Sequence, residues 1–355
     1  MQASSLLEAG SKVGRSFSLA TFLPTSALLL WIAFVATLSP TFGGPLTWPS
    51  GGLPVVDWLT ASLAGAAFLL LALALHPLVF ATTQALEGYW GPTAVATLMA
   101  ARASGRHRAR LHKLEALAEK HTVQLEERSE AAYRQAGAEN LTYNEWMSGW
   151  LDAEENQTAQ AHILIRDAAA KARERYPERA SRVLPTALGN ALRREEDRIG
   201  AQYGLDALTV AGHLAVLLPP DQADYLDDSR QQLDTAVRLC AAALLAFVAT
   251  VGWLIVAGSS LLLALVPLCF AFVSYQSAVA AAQEYMYVFG VMVDLNRFAL
   301  YKAMHLSAPE NGQREVVQNE QLMQLLSGIR TNMAYEIGEV APAGAGAAST
   351  AHKTP

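Results

Sequence analysis

The chain has 355 residues, of which 52% are hydrophobic and only 16% charged, and its formal net charge is −6. A charged share well below the roughly 25% usual for soluble domains argues against an ordinary soluble multidomain protein. Charged residues are absent from 16–56, 58–86 and 239–283. Because a helix needs about 20 apolar residues to cross a bilayer core, the first two stretches accommodate one span each and the third accommodates two. The sequence predicts a mostly α integral membrane protein with four transmembrane helices in two pairs.

The first predicted transmembrane pair covers residues 16–86. Its first span, Phe17–Leu38, is longer than the apolar region of a signal peptide and is followed by a second span, so we expect it to be retained. The loop at 39–58 is rich in Gly, Pro, Ser and Thr, which is typical of turns. The second span, Leu59–Thr82, contains His76 as its only titratable side chain. No charged residue lies in another span, so a structural role for His76 is favoured and a functional one stays open.

Basic residues indicate how the predicted spans are oriented. The region 83–235 holds 18 of the 26 Lys and Arg residues, whereas the loop at 39–58 has none. The positive-inside rule therefore places both termini and the large polar region in the cytoplasm. The predicted order is a cytoplasmic arm at 1–15, the first pair at 16–86 with its extracellular loop, a cytoplasmic helical domain at 87–236, a transmembrane hairpin at 237–282, cytoplasmic helices at 283–340 and a disordered tail at 341–355.

A basic cluster opens the cytoplasmic domain. Its members are Arg102, Arg106, Arg108, Arg110 and Lys113. Each cation near an anionic membrane surface adds about 1 kcal/mol of attraction. Nucleic acid is the alternative partner, but acids outnumber bases by 23 to 18 in 83–235 and no aromatic residues interleave with the cluster. The cluster therefore predicts contact with anionic lipid rather than with nucleic acid.

Apolar periodicity predicts two helices in the first half of the cytoplasmic domain. They cover 108–136 and Leu141 to about Arg175. Aromatic residues recur at helical spacing on one face of the second helix, and they are expected either to bury against the other cytoplasmic helices or to rest at the membrane surface: Tyr143, Trp146 and Trp150. The histidines of the region form no close pair that shares a face with a carboxylate, so no metal site is predicted among His107, His112 and His121.

The most distinctive local sequence runs from Leu184 to Asp206. Pro185 and Thr186 form a helix start signal with Thr186 as the N-cap, and Gly204 is the expected stop. The expected apolar face consists of Leu188, Leu192, Ile199 and Tyr203.

Three consecutive carboxylates on the other face of this helix suggest general acid–base chemistry. They are Glu195, Glu196 and Asp197. Arginines three or four residues away are positioned to pair with them, as Arg193 is with Asp197, and such pairs favour ionised carboxylates. A general acid at neutral pH needs the opposite environment, so a structural charged face is the favoured interpretation.

A polar segment leads into the second transmembrane pair. The run Ala207–Leu218 is too short to span a membrane and is predicted to be a short strand or a buried helix. A new helix begins near Asp221, where acids suit the first turn, and no break separates it from the third span. Only a few residues separate the spans at Leu239–Ala257 and Leu261–Ala282, so they form a tight hairpin. Beyond the hairpin, Glu284–Met304 is expected to be a cytoplasmic extension of the fourth helix, and 313–330 one more short helix.

Four short motifs occur in order along the chain. They are LEGYW at 86–90, LPTALGNALRREED at 184–197, YGLD at 203–206 and RFALY at 297–301. In this combination the sequence resembles a family of uncharacterised actinobacterial multi-pass membrane proteins, over most of residues 60–330. The resemblance implies the membrane architecture and a bacterial plasma membrane, and it carries over no catalytic, cofactor-binding or metal-binding residue.

Three classes of function are compatible with these features. The leading hypothesis is a non-enzymatic membrane-anchored scaffold or sensor that acts through its cytoplasmic helical domain on a protein partner or as a homo-oligomer. The alternative is an oligomeric channel or transporter whose polar path is lined by His76, Thr250, Tyr275 and Gln276. The third is a membrane-bound enzyme. The sequence argues against it, because the chain has no P-loop, kinase, nucleophile-elbow, zinc or dinucleotide motif. We therefore predict no enzyme and no cofactor.

Overall fold

The computed structural model describes residues 24–35, 38–40, 46–47, 58, 62, 65–66, 78–137, 141–153, 156–257 and 261–335. These residues are mostly helical, which confirms the predicted fold class at that level. The α-helices within them are α1 (Pro24–Val35), α2 (Leu78–Glu87), α3 (Ala94–Ala136), α4 (Tyr143–Asp152), α5 (Gln157–Arg173), α6 (Ala187–Arg198), α7 (Ala207–Leu217), α8 (Pro220–Ala257), α9 (Leu265–Ala303) and α10 (Gly312–Leu326). Two-residue antiparallel strands β1 (Ser39–Pro40) and β2 (Leu46–Thr47) follow α1.

The chain divides into two compact units. The first unit is Met1–Asp197 with Asp224–Val288, and the second is Arg198–Ala223 with Phe289–Pro355. The division falls inside the distinctive sequence, directly after Asp197. Its LPTALGNALRREED part therefore belongs to the first unit, and its YGLD part to the second.

Two helices, α8 and α9, are long and apolar enough to cross a membrane by length and composition. Only 28% of the most apolar window of each is buried, whereas the core helix of a soluble protein is mostly buried. With 38 residues α8 is about 57 Å long, nearly twice the thickness of a bilayer core. Because it runs unbroken from Pro220 to Ala257, the structure confirms the predicted helix that continues from the polar segment into the apolar stretch 239–257.

The first predicted transmembrane pair lies only partly within the described residues. Helix α1 covers the middle of the predicted span Phe17–Leu38, and α2 covers the end of Leu59–Thr82 and continues to Glu87. His76 and most of the second predicted span lie outside the described residues, as do the arm at 1–15 and the tail at 341–355. The described part of the chain contains two helices of sufficient length, so four spans stay a prediction.

The core of the first unit lies where α6 packs on α8 and α9. Buried side chains from these three helices form one hydrophobic cluster: Leu188, Ala191, Leu233, Ala236, Val237, Ala278, Val279 and Ala282. Half of its members are alanines, and small residues let helix backbones approach closely. Helix α1 is tied to α8 by a hydrogen bond from Trp31 Nε1 to Thr250 Oγ1 of 2.9 Å.

The region predicted as one helix from Leu141 to Arg175 is two helices, so that prediction is wrong. Helix α4 ends at Asp152, and α5 begins at Gln157. Side chains of the second helix and its preceding turn satisfy the carbonyls at the end of the first. Asn156 Nδ2 donates to the carbonyl of Trp150 at 2.7 Å, and Gln160 Nε2 donates to that of Leu151 at 2.6 Å. These side-chain caps replace the backbone hydrogen bonds that a continuous helix would make.

The aromatic residues of α4 pack against one another and against α3, which is the first of the two placements that the sequence left open. The rings of Trp146 and Trp150 stack with centroids 5.5 Å apart, and Tyr133 of α3 meets Trp146 edge-on at 5.2 Å. The hydroxyl of Tyr143 lies 2.6 Å from that of Ser129, which is buried in α3. These contacts make the aromatic face an interface between α3 and α4.

The predicted start of α6 is confirmed, but its predicted stop is wrong. Thr186 Oγ1 accepts a hydrogen bond from the amide of Gly189 at 3.1 Å, as an N-cap does. The helix ends at Arg198, and Gly200 rather than Gly204 takes the left-handed conformation that closes it, with φ +77°. The amide of Leu205 donates to the Gly200 carbonyl at 3.0 Å. Gly204, with φ +74°, ends the following single turn of 3₁₀ helix, Ala201–Tyr203.

The short apolar run after the YGLD motif is helix α7, which decides between the two predicted conformations. Asp206 caps it by accepting a hydrogen bond from the amide of Thr209 at 2.8 Å. The helix is only half buried: Val210 and Leu214 are buried, whereas Val216 is exposed.

Candidate functional site

The candidate site begins with the turn that follows α2. Gly88 has φ +102°, and the amide of Tyr89 donates to the carbonyl of Gln84 at 2.9 Å. This is the pattern with which a glycine ends a helix in the left-handed conformation. Trp90 Nε1 also returns to the end of α2, where it donates to the carbonyl of Ala85 at 2.8 Å. The LEGYW motif therefore ends α2 with a glycine cap.

Asn190 organises the second half of the site, the segment before α6. Its side chain is 1% exposed and makes three hydrogen bonds to backbone groups. The Oδ1 atom accepts from the amide of Leu184 at 2.7 Å, and Nδ2 donates to the carbonyls of Leu184 at 2.9 Å and Thr186 at 2.7 Å. Both N–H donors of the buried side-chain amide and one of the two lone pairs of its oxygen are thereby hydrogen-bonded. These bonds attach the LPT segment, Leu184–Thr186, to the first turn of α6, the helix that follows it.

Two glycines allow the two motifs to touch. A Cβ atom on Gly189 would overlap the carbonyl oxygen of Glu87, and one on Gly88 would lie 2.5 Å from Cγ of Pro185. Each contact brings one motif against the backbone or ring of the other. The LEGYW and LPTALGN motifs, nearly 100 residues apart in sequence, form one packed junction in the first unit. We call the junction of residues 87–90 with 184–190 the glycine junction.

A charged cluster borders the glycine junction. Arg193 Nη2 donates to the hydroxyl of Tyr89 at 2.5 Å, and Arg193 Nη1 lies 3.3 Å from Glu196 Oε2. That carboxylate oxygen is buried and accepts no hydrogen bond from the described residues, so the contact is an ion pair without hydrogen-bond geometry. Asp197 Oδ1 lies 2.7 Å from Nη2 of Arg182. The sequence spacing indicated Arg193 as the partner of Asp197, and the structure pairs it with Arg182 instead. Glu196 and Asp197 thus pair with arginines, in agreement with a structural charged face.

A half-buried carboxyl group of the cluster, that of Glu87, was missed by sequence reasoning. Burial raises the pKa of Glu87, the negative charge of Glu196 raises it further, and the positive charge of Arg193 partly opposes both. No signal near position 87 in the sequence indicates this environment, because Glu196 is more than 100 residues away. The folded protein therefore holds a proton on Glu87 over a pH range in which the unfolded chain has released it.

This linkage predicts how stability depends on pH. When folding raises the pKa of a carboxyl group, the free energy of unfolding falls as the pH rises from the ordinary pKa of 4.5 through the raised pKa of the folded state. Above that range of pH the stability lost in this way stays constant. Glu87→Gln cannot ionise, so its free energy of unfolding should lack this decline and should equal or exceed that of the wild type at neutral pH. Thermal unfolding of the purified protein at stepped pH measures both, and Glu119→Gln on an exposed part of α3 controls for the lost charge. A steeper decline in the Glu87 variant would contradict the assignment.

The glycine junction is attached to the apolar part of α9. The amide of Leu188, which is fully buried, donates to the hydroxyl of Tyr275 at 3.1 Å. Leu188 also belongs to the core cluster that α6 forms with α8 and α9. The first turn of α6 therefore contacts the end of α2 on one side and the long apolar helices on the other.

Helix α3 is held against the segment that precedes the LPT motif by an aromatic contact. His107 Nδ1 lies 3.1 Å from the hydroxyl of Tyr176, which packs with Leu111 and Val183 in a small hydrophobic cluster. Burial, followed by the charge of Arg110, lowers the pKa of His107. His107 thus takes part in the packing of α3 on Tyr176.

Sequence reasoning did not foresee a second histidine contact. His121 Nδ1 lies 2.6 Å from His162 Nδ1, across α3 and α5. Burial lowers the pKa of His162, and the charge of Arg128 lowers it further. Within the described ranges no group of three or more His, Cys, Asp or Glu side chains is placed to hold a metal ion.

The second unit has a cluster of its own, built from the YGLD and RFALY motifs and α10. The guanidinium of Arg297 lies 4.2 Å above the ring of Tyr203 and 2.8 Å from Glu315 Oε1. Asn319, fully buried, accepts from Tyr301 at 2.5 Å and donates to the Tyr203 carbonyl at 2.7 Å. Burial, with the nearby charge of Glu315, raises the pKa of Tyr301 to about 12, so its hydroxyl stays a donor at all physiological pH values. The cluster fastens α10 to the end of α9.

The polar residues proposed to line a channel occupy different environments. Thr250 is buried, donates to the carbonyl of Ala246 and accepts from Trp31. Tyr275 accepts from Leu188, whereas Gln276 is exposed on α9. Two of these hydroxyl groups thus serve contacts between helices of the first unit.

No protein-family model, curated protein or solved structure matches the chain. The resemblance to actinobacterial membrane proteins therefore stays a prediction from the four motifs.

Proposed function

We propose that the protein is a non-enzymatic scaffold or sensor anchored in the bacterial plasma membrane, with its helical polar region and both termini in the cytoplasm. One observation carries the proposal: α6, which holds the glycine junction, packs on α8 and α9 and donates the Leu188 amide to Tyr275. The polar region is therefore joined to the apolar hairpin by a packed core rather than by a flexible linker. A partner that moves α6 would change the packing of the hairpin, and the reverse also holds.

The membrane topology of this proposal combines two lines of support. The helices α8 and α9 are long and apolar enough to span, and their most apolar windows are mostly exposed, as lipid contact requires. The distribution of Lys and Arg favours a cytoplasmic location for 87–236 and for 283–340. The proposal retains four spans with an extracellular loop at 39–58, which a protease-protection or cysteine-accessibility map of intact cells would test.

A channel or transporter is the second candidate. Its support is weaker because the hydroxyls of Thr250 and Tyr275 serve contacts between helices within one chain. The channel would regain support if the protein formed an oligomer in which Gln276 of several copies lined one polar path, since the side-chain amide of Gln276 is exposed. A membrane-bound enzyme is the third candidate and has no catalytic arrangement in its favour among the described residues.

Crosslinking in native membranes tests the scaffold proposal. A photoreactive amino acid at Leu164, a strongly exposed apolar position on α5, should give a discrete protein adduct of constant mass, and the same should hold at the exposed Glu174. Flux through vesicles that contain the purified protein should not exceed background at any voltage or pH. If neither position gave an adduct and the vesicles showed measurable conductance, the scaffold proposal would be rejected in favour of the channel.

Coupling between α6 and the hairpin can be measured separately. Tyr275→Phe removes the acceptor for the Leu188 amide, so hydrogen exchange at the start of α6 should accelerate by about 5-fold, as expected for a net loss of about 1 kcal/mol. Tyr287→Phe, an exposed tyrosine on the same helix, is the matched control and should leave exchange unchanged. Equal exchange in both variants would show that the contact does not couple the two elements.

A further inference from the structure

Helix α3 packs against the first unit through only one side. Its buried residues are Ser104, Leu111, Leu125 and Ser129, which fall within one narrow sector at about 100° per residue. The opposite side is exposed from the first turn onward. Its apolar members are Val95 at 69%, Leu98 at 72%, Met99 at 57% and Leu117 at 39% exposure.

Basic side chains continue the same exposed side. Spaced by three, four or seven residues, they are Arg102, Arg106, Arg110, Lys113 and Lys120, and all are exposed. No acidic residue lies on this side between 95 and 120, because Glu115 and Glu119 project near the opposite edge. We call this side the basic stripe. Arg108, which the sequence grouped with the cluster, lies about 140° away from the stripe and is excluded from it.

We infer that the basic stripe lies flat on the anionic headgroups of the cytoplasmic leaflet beside the hairpin. This inference rests on the proposed membrane anchoring. Residues 95–120 extend for about 37 Å, which is long enough to contact many headgroups. Apolar side chains would enter the boundary between headgroups and acyl chains, while arginine and lysine bind the lipid phosphates.

The position of the apolar end supports a lipid occupant. Six residues separate α3 from α2. The end of α2 is held by the glycine junction to the first turn of α6, which donates to Tyr275. The end of α3 that carries Val95, Leu98 and Met99 is therefore tethered next to the apolar hairpin. Nucleic acid fits less well, because the stripe has no aromatic side chain for base stacking and the region as a whole is acidic.

Site-specific quenching tests the inference in the full-length protein. In a background with Cys240→Ala and Cys269→Ser, an environment-sensitive fluorophore is attached through Leu117→Cys on the stripe or Glu119→Cys off it. The protein is reconstituted into phosphatidylcholine vesicles with or without phosphatidylglycerol, each with a spin-labelled lipid as quencher. Quenching at position 117 should be several-fold stronger in the anionic vesicles, and quenching at position 119 should be weak in both.

A pair of charge reversals assigns the effect to the stripe. Arg106→Glu should abolish the additional quenching in anionic vesicles, whereas Arg108→Glu, the same change on the other side of the helix, should preserve it. Both residues are exposed, so neither change disturbs a core.

The possible outcomes separate this inference from the anchoring on which it depends. Carbonate-resistant flotation with the vesicles reports anchoring alone. A protein that floats but shows equal quenching at positions 117 and 119 would falsify the lipid contact while leaving the anchoring intact. A fluorescence change at position 117 on addition of polyuridylate, without lipid quenching, would assign the stripe to RNA and overturn the inference. A protein that fails to float contradicts the anchoring itself.

Discussion

Gly189→Ala is expected to destabilise the first unit by about 3 kcal/mol or more, because the new Cβ would overlap the carbonyl oxygen of Glu87 and approach Leu184 at 2.9 Å. The obstacle is backbone rather than the end of a flexible side chain, so relief requires α6 to move away from α2. Such a movement would also disturb the packing of Leu188 against α8 and α9. A thermal unfolding scan of the detergent-purified protein should show a clear fall in Tm.

Gly105→Ala is the matched control for this substitution. Gly105 also lies inside a helix, but a Cβ there would meet no atom within 4 Å. Alanine in place of an unconstrained helical glycine stabilises by about 0.5–1 kcal/mol, so this variant should unfold at the same temperature as the wild type or slightly higher. Similar Tm values for the two alanine variants would mean that the close approach at Gly189 does not exist in solution.

Asn190→Ala is expected to cost about 3 kcal/mol, since it removes three hydrogen bonds and leaves the amide of Leu184 without its acceptor in a buried place. The LPT segment would lose its attachment to α6 while the apolar core stays intact. Asn190→Asp keeps an acceptor for the Leu184 amide but loses both donors, so its stability should be reduced as well. Calorimetry or denaturant unfolding gives the free energies, and hydrogen exchange locates the loosened segment.

Asn319→Ala separates a local effect from a general one. Asn319 is an equally buried amide, but it belongs to the second unit, where it bonds to Tyr301 and Tyr203. Its loss should accelerate hydrogen exchange in α10 and leave residues 184–190 unchanged, whereas Asn190→Ala should do the reverse. Acceleration of both segments by either variant would argue that the two clusters do not act as independent fastenings.

Much of the local structure could be predicted because its causes are local. The N-cap at Thr186 needs only its own hydroxyl and the amide of Gly189. The helical spacing of Tyr143, Trp146 and Trp150 likewise placed them on one face. Errors arose where two local signals compete. Two glycines are candidates to close α6, and the structure ends the helix at Arg198, before Gly200, while Gly204 closes the 3₁₀ turn that follows.

The candidate site was only half predictable. The sequence identified LEGYW and LPTALGN as distinctive, yet nothing in either motif indicates that Gly189 faces Glu87. The raised pKa of Glu87 depends on burial and on Glu196, both of which arise from the approach of α2 and α6. The partners of buried polar groups are chosen by long-range packing, and a single sequence carries no local record of it.

The sequence by itself determined where this chain avoids charge and that it is mostly helical, because hydropathy and caps act within a few residues of one another. Of the four spans that it predicts, two correspond to long apolar helices within the described residues. Only the tertiary structure decided that the glycines of two distant motifs make one junction, and that α6 rests on α8 and α9. It also divided the basic cluster, since the burial of Leu111 fixes which side of α3 faces outward. These decisions belong to packing, in which each side chain depends on residues far away in the chain.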